Sequence, residues 1–162
     1  MNSSQDQLTR FIFDNTAVRG NHVNLTQTIA QALQHHHYPA VLKSALSELM
    51  VASALLAATL KMHGALVLQI QSKGALKLLV VECNTDADSN LKIRATAKWS
   101  GEVSDSQNLF ELIDHGQFMI TLDPQDGQTY QGIVPLEGDS ISAILENYMM
   151  RSEQIDTRIW LC

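Results

Sequence analysis

The chain has 162 residues, of which 45% are hydrophobic, a length and composition typical of one globular domain with a sizeable core. Its formal net charge of −6, with 11 Lys and Arg residues, argues against nucleic acid or an anionic membrane as the main partner. The polar start MNSSQDQ lacks the pattern of a secretory signal, and two cysteines do not make a disulfide framework. We therefore expect a cytoplasmic protein with reduced thiols.

The first part of the chain is predicted to form two short strands and a helix. Residues 8–13 are rich in aromatic and β-branched side chains, and residues 17–25 carry a second strand in which Gly20 marks a bulge or turn. Residues 1–6 are expected to be frayed. Thr26 is predicted to cap a helix that runs to about residue 36. The three histidines at 35–37 then lie at a helix end, where solvated imidazole is favoured and consecutive side chains diverge, so we expect no metal site there.

A long apolar segment, Ala40–Leu60, is predicted to form one helix closed by Lys61. One face of this helix carries five leucines at helical spacing: Leu42, Leu46, Leu49, Leu56 and Leu60. Val51 and Leu55 point away from that face, so the second half is apolar all round, which predicts cover on more than one side. Its uncharged run of 12 residues is too short for a bilayer, which needs about 20. We expect a central buried helix that a charge at Leu55 would unfold.

After this helix the hydrophobic period changes to two, which predicts strands. Residues 66–70 and 76–80 form a predicted hairpin around a turn at residues 72–74. Residues 91–99 give the cleanest alternation in the chain, with Lys92, Arg94 and Lys98 on the predicted solvent face. We interpret these cations as a solvated strand face, not a phosphate-binding site, because the chain is acidic overall.

The last third of the chain is predicted to alternate helices and strands. Asp105 and Asp139 are predicted to cap two helices. Strands are predicted at residues 118–122, 129–134 and 157–161, and the sequence stops inside the last of these. We therefore expect a truncated chain. The order of elements predicts an α+β fold with mostly antiparallel sheet.

The sequence contains no pattern of a catalytic or nucleotide-binding site. It has no G-x-S-x-G, no P-loop and no G-x-G-x-x-G. Cys83 and Cys162 are single thiols without a C-x-x-C partner, which is typical of ordinary buried small residues. The alternative is a hydrolase-like enzyme whose site is assembled from scattered residues such as His63, His115 and the acidic loops. The residues alone indicate a soluble α+β domain without a recognisable catalytic site.

Five segments of the chain together match a known family. They are FDNTAVRGNHVNL (13–25), ATLK (58–61), RATA (94–97), YQGIVPLEGDS (130–140) and YMMRSEQIDTRIWL (148–161). In this order they resemble the heat-shock protein 33 family, the bacterial redox-regulated holdase chaperones. The resemblance implies a core domain that binds unfolding client proteins and so prevents their aggregation. The absence of an ATP-binding motif fits a chaperone that works without ATP.

The resemblance also implies parts that this sequence lacks. Full-length members are expected to carry a helical linker and a zinc module, whose four cysteines release zinc on oxidation and so expose client-binding surface. None of these four cysteines is present, and neither Cys83 nor Cys162 matches one. We therefore expect residues 1–162 to be the chaperone core domain alone, truncated at its C-terminal end, with no cofactor and no redox switch.

The expected partners are unfolded or partly folded proteins and, in a possible homodimer, a second copy of the chain. Nucleic acid and membrane are not expected partners. The family core implies sheets packed around a central buried helix, and an open strand edge near residues 157–162 is expected to favour a dimer. The client-binding candidates are apolar residues that the pattern leaves facing outward: Met149, Met150 and Val67.

Overall fold

The computed structural model describes residues 6–60 and 63–162. The elements of this part of the chain are β1 Gln7–Ile12, β2 Arg19–Asn24, α1 Thr26–Leu33, α2 Ala40–Leu60, β3 Gly64–Gln71, β4 Leu76–Thr85, β5 Leu91–Trp99, a 3₁₀ helix Leu109–Leu112, β6 Gln117–Pro124, β7 Tyr130–Pro135 and α3 Ile141–Ser152. Lys61, the predicted end of the long helix, and residues 1–5 of the expected frayed start lie outside the described residues.

The strands form two antiparallel sheets. One contains β1 and β2, and the other has the strand order β5-β4-β3-β6-β7. All neighbouring strands in the larger sheet are antiparallel, which confirms the predicted hairpins and the α+β class. The predicted bulge or turn at Gly20 is wrong, because Gly20 lies in a regular pair opposite Phe11. A Cβ atom at Gly20 would meet the Phe11 ring at 2.2 Å, so glycine leaves room for that ring.

The long helix α2 is the centre of the fold, as predicted. It packs on β3, β4 and β5 of the larger sheet and also contacts β2, so it lies between the two sheets. Leu42, Leu46 and Leu49 have no exposed surface. α2 is long and apolar enough to span a membrane, but 56% of its apolar window is buried, which is typical of a core helix.

One side of α2 is less covered than predicted. Leu60 is 38% exposed, and Val51 and Leu55 are only half-buried and lie outside the hydrophobic core. The layer on this side is the β1–β2 hairpin, whose two strands have six residues each against 21 in the helix. The prediction of cover on more than one side is confirmed, but the cover on this side is incomplete, because two short strands cannot enclose the second face of so long a helix.

The first turn of α1 is capped from outside the helix and not by Thr26. The carboxylate of Asp6 accepts hydrogen bonds from the backbone N–H groups of Gln27 and Thr28 at 2.8 and 2.7 Å. Partial burial opposes ionisation, but hydrogen bonds from Thr28 and Gln27 outweigh it and lower the pKa of Asp6. Asp6 is therefore part of the fold and not of a frayed start. The helix ends at Leu33, before the predicted residue 36.

Two other predicted helix caps are wrong, the first by three positions and the second by one. Asn108, and not Asp105, caps the 3₁₀ helix by accepting hydrogen bonds from two backbone N–H groups. Ser140, and not Asp139, caps α3, because its side chain accepts a hydrogen bond from the N–H of Ala143 at 3.1 Å. Both caps place an oxygen on the orphan donors of the first turn, as capping requires.

The predicted final strand at residues 157–161 is wrong. Burial alternates along the segment, with Ile159 and Leu161 packed against the core and Trp160 exposed, but the segment pairs with no strand of the described chain. Its backbone is tied instead to α3, since the N–H of Ile159 donates to Oε1 of Glu146 at 2.7 Å. The alternation of apolar residues here indicates a segment with one buried side, and not a strand paired in a sheet.

Candidate functional site

The described part of the chain holds no group of three or more His, Cys, Asp or Glu side chains able to bind one metal ion. His35, His36 and His37 lie in an exposed loop between α1 and α2. The ring of His36 lies 5.4 Å from that of Tyr38, so it contacts an aromatic neighbour. The three histidines thus belong to the loop that leads into α2.

The two cysteines lie in different environments. Cys83 is on the inner face of the larger sheet with no exposed surface, and Cys162 is exposed. Burial raises the pKa of the Cys83 thiol to about 11, against a weaker opposing hydrogen bond with Ser53. A protonated, buried thiol is a poor nucleophile and a poor metal ligand. A buried Cys83 and an exposed Cys162 do not make the four-cysteine set on which the family resemblance places zinc.

The two histidines of the enzyme hypothesis lie far apart. His63 directly precedes β3, where its Nδ1 lies 2.8 Å from the carbonyl oxygen of Asp86. His115 is near the start of β6, which is paired with the other end of β3. With about 3.4 Å per residue along a strand, the two side chains are separated by about 20 Å or more. The structure does not bring these residues into one site.

The outer face of the five-stranded sheet has no helix packed on it in the described chain. α2 and α3 lie on the inner face, where Tyr148 of α3 contacts Phe118 and Gly132. The strand register places five apolar side chains together on the outer face, and we refer to them as the outer patch: Val67, Leu78, Val80, Met119 and Ile133. Val67, a predicted candidate, therefore lies within an apolar surface.

The outer patch is separate from the core. None of its five residues packs in the main hydrophobic cluster. Val67, Leu78 and Val80 are half-buried, Ile133 is 52% exposed, and Met119 is nearly buried at 9%. Gln69 lies in the same row, directly opposite both Val80 and Met119, so the patch is apolar with a polar residue in its middle. Such a surface on an open sheet is available to a partner.

A row of cations borders the outer patch along β5, and we refer to Lys92, Arg94 and Lys98 as the basic edge. All three are exposed and lie on the outer face. Arg94 pairs with Glu82 at 2.9 Å. The pKa of Glu82 is lowered, first by the hydrogen bond from Asn84 and then by Arg94, against partial burial. The outer face thus has a charged border on one side only, since Gln131, Ile133 and Pro135 of β7 form the other side.

A second apolar surface lies at the tip of the β1–β2 hairpin. Phe11, Ile12, Phe13 and Val18 are all exposed, Ile12 by 77%. The rings of Phe11 and Phe13 meet edge to face with centroids 5.7 Å apart. Sequence reasoning missed this surface, although its signal was present: the apolar run FIF lies in a hairpin too narrow to bury both faces.

The structure separates the two predicted methionines. Met149 is only 7% exposed and packs in the core beside Tyr148, so the prediction that it faces outward is wrong. Its position follows the helical period of α3, whose inner face also carries Ile141, Ile144 and Leu145. Met150 is 48% exposed, on α3. Because α3 packs on the inner face of the sheet, Met150 and Val67 lie on different surfaces.

Comparisons with known proteins agree with this fold. The model of the Hsp33 protein family matches residues 6–162. The 33 kDa chaperonin of Methylobacillus flagellatus is 62% identical over 158 residues, which cover 96% of this chain and 52% of that protein. The 33 kDa chaperonin of Neisseria meningitidis is 46% identical over 159 residues, covering 96% of this chain and 51% of that protein. The chain thus spans about half the length of these curated relatives.

A solved structure supports the same assignment at the level of fold. The crystal structure of the 33 kDa chaperonin (heat shock protein 33 homolog) from Thermotoga maritima superposes with a TM-score of 0.77 at 18% identity. The match covers 92% of this chain and 52% of the other. Because the family model covers nearly the whole chain and the relatives cover it at high identity, the chain belongs to the Hsp33 protein family.

Proposed function

We propose that this chain is the client-binding core of an ATP-independent holdase chaperone, which binds unfolding proteins through apolar surface and prevents their aggregation. The observation that carries the proposal is the outer patch: five apolar side chains on a sheet face without a covering layer in the described chain. A folded domain usually buries such a set of residues, and one that does not has surface for an apolar partner. Membership of the Hsp33 family supports the same role.

The proposal includes no catalysis. His63 and His115 lie at opposite ends of β3, and Cys83 is buried and protonated at neutral pH. We further propose that the partners are unfolded proteins and not nucleic acid or membrane, and that the protein acts in the cytoplasm. Redox regulation through zinc requires four closely spaced cysteines that these 162 residues lack, so we propose that client binding by this chain does not depend on oxidation.

The proposal is tested by light scattering from a thermolabile enzyme held at its unfolding temperature, with the chain added and nucleotide omitted. We expect the chain to suppress aggregation when it is present in equimolar amount to the enzyme, and to do so equally in reducing and oxidising buffer. Suppression only after oxidation would contradict the proposal that the chain itself is unregulated. No suppression in either buffer would contradict the holdase proposal for this chain.

Substitutions in two surfaces locate the client-binding site. Val80→Thr combined with Ile133→Thr keeps β-branched residues in the strands and makes the outer patch more polar. We expect weaker suppression by this variant. The matched control, Ile12→Thr with Val18→Thr, makes the same kind of change at the hairpin tip. Loss of suppression in the control and not in the first variant would move the site to the hairpin tip.

A homodimer stays a prediction. Residues 157–161 pair with no strand of the described chain, so the backbone groups of this segment are open to another chain, apart from the N–H of Ile159 and the carbonyl of Thr157, which are already bonded. Analytical ultracentrifugation over a range of concentrations tests this. A monomer at the highest soluble concentration would contradict the dimer.

A further inference from the structure

The basic edge lies beside an apolar surface in a chain that is acidic overall. From this arrangement we propose that the outer face selects client segments in which apolar residues are flanked by carboxylates. The inference deepens the proposed holdase function and rests on it. It names the chemistry of the segment: an exposed stretch of apolar side chains with Asp or Glu at one end.

The strand register gives the distances. Lys98 lies directly opposite Leu78, and Arg94 lies opposite Glu82, which is next to Val67 in the same row. Neighbouring strands are about 4.8 Å apart, so a cation of the basic edge is one or two strands away from each apolar residue on β4 and β3. A segment that covers Leu78 and Val80 therefore brings its flanking residues within reach of Lys98.

The charges on this face favour an acidic flank. The three cations of the basic edge face three carboxylates, Glu82, Asp86 and Asp123, so the outer face is formally neutral (3 − 3 = 0) in a chain of −6. Glu82 is already occupied by Arg94, and Asp123 accepts a hydrogen bond from Thr129 on the far side of the sheet. Lys98 has no carboxylate within 4.0 Å among the described residues, so its charge is available to a partner.

The outer patch strengthens the interaction of these cations with a bound segment. A segment bound there excludes water from the space beside Lys98, and a lower local dielectric strengthens attraction to a carboxylate and repulsion of a second cation. Lys98 attracts a Glu flank and repels a Lys flank, so we expect segments with these two flanks to differ by about five-fold in affinity, although one exposed ion pair alone contributes little. Salt is expected to remove this difference, since the pairs stay close to solvent.

The test uses three synthetic peptides with one apolar sequence, flanked by two Glu, two Ser or two Lys residues, with binding measured by fluorescence anisotropy. We expect the Glu-flanked peptide to bind about five-fold more tightly than the Lys-flanked one at low salt, with the Ser-flanked peptide between them. At 0.5 M salt the three affinities are expected to converge, because the screening length falls to about 4 Å.

Two charge-reversal variants assign the preference to this face. Lys98→Glu should abolish or invert the order of the three peptides. Lys43→Glu makes the same change at an exposed position of α2, away from the outer face, and should leave the order unchanged. Equal affinities for the three peptides, or an order unaffected by Lys98→Glu, would overturn the inference.

The outcomes separate the inference from the proposed function. If the peptides bind without preference and aggregation is still suppressed, the holdase proposal stands and the selectivity is wrong. If no peptide binds and aggregation is not suppressed, both fail. If no peptide binds and Lys98→Glu changes the sedimentation of the chain alone, the face is an interface between copies of the chain, and the inference is overturned.

Discussion

The hydroxyl of Tyr148 donates a hydrogen bond to Oε1 of Glu153 across 2.9 Å. Tyr148 lies in α3 with its ring in the core, 6.1 Å from the ring of Phe118, whereas Glu153 follows the helix at the surface. Burial, followed by the hydrogen bonds with Tyr130 and Glu153, raises the pKa of Tyr148 above its ordinary value. The bond thus ties the end of α3 to its core-facing side.

We expect Tyr148→Phe to lower the free energy of unfolding by about 1 kcal/mol, the usual net contribution of one such hydrogen bond. The ring and its packing on Gly132 stay in place, so no cavity is added. Urea denaturation followed by circular dichroism measures the change. Glu153→Gln keeps an oxygen that accepts from the hydroxyl, so it should lower the free energy of unfolding by less than Tyr148→Phe does. An equal or larger loss in Glu153→Gln would contradict the role given to this bond.

The turn after α3 is closed by a residue in the left-handed region. Gln154 has φ +55, and the N–H of Ile155 donates to the carbonyl of Met149 at 3.1 Å. This conformation is unfavourable for a residue with a Cβ and is usually occupied by glycine. We expect Gln154→Gly to stabilise the chain by about 0.5–1 kcal/mol in urea denaturation. Gln154→Val should destabilise it, and a stabilising valine would contradict the assignment.

The uneven cover of α2 predicts unequal effects along the helix. Leu49 has no exposed surface, whereas Leu55 is half-buried and outside the core. We expect Leu49→Ala to lower the free energy of unfolding by about 3 kcal/mol and Leu55→Ala by about 1 kcal/mol. Likewise, Leu49→Asp should unfold the domain, and Leu55→Asp should leave it folded, contrary to the expectation from the sequence. Thermal unfolding measures these changes, and unfolding by Leu55→Asp would show that this side is covered.

The buried thiol of Cys83 predicts loss of stability at alkaline pH. Its pKa is raised from 9.0 to about 11 in the folded chain, so the folded state holds this proton more strongly than the unfolded state. The resulting stability is complete below about pH 9 and is lost as pH rises from 9 to 11, by about 3 kcal/mol in total.

Cys83→Ala isolates this effect, because alanine cannot ionise. The variant should be less stable than the parent chain at pH 7, and its stability should fall less steeply between pH 9 and 11. Urea titrations at several pH values measure both slopes. Parallel slopes would contradict the burial of this thiol.

Several elements could be predicted from the sequence because their signals are local. The bounds of α2 and β5 and the hairpins of the larger sheet agree with the predicted positions, since periodicity and turn residues act over a few neighbouring positions. The caps were harder to predict. Asp6 caps α1 through hydrogen bonds to residues 21 and 22 positions further along the chain, and no local pattern predicts such a contact.

The site depended still more on contacts between distant segments. The prediction that Val67 faces outward agrees with the structure. The outer patch around it could not be predicted, because it depends on the pairing of β3 with β6 and of β6 with β7. Met149 and Met150 are adjacent in sequence, and only the packing of α3 decided which of them is buried.

The sequence by itself determined the family, the α+β class and the central apolar helix, because motifs and hydrophobic periods are properties of neighbouring residues. Only the tertiary structure decided which sheet face stays open, that residues 157–161 are not a strand, and that one side of α2 is half-covered. The physical reason is that burial and strand pairing depend on which distant segments meet, and a period along the chain specifies a face but not the layer that covers it.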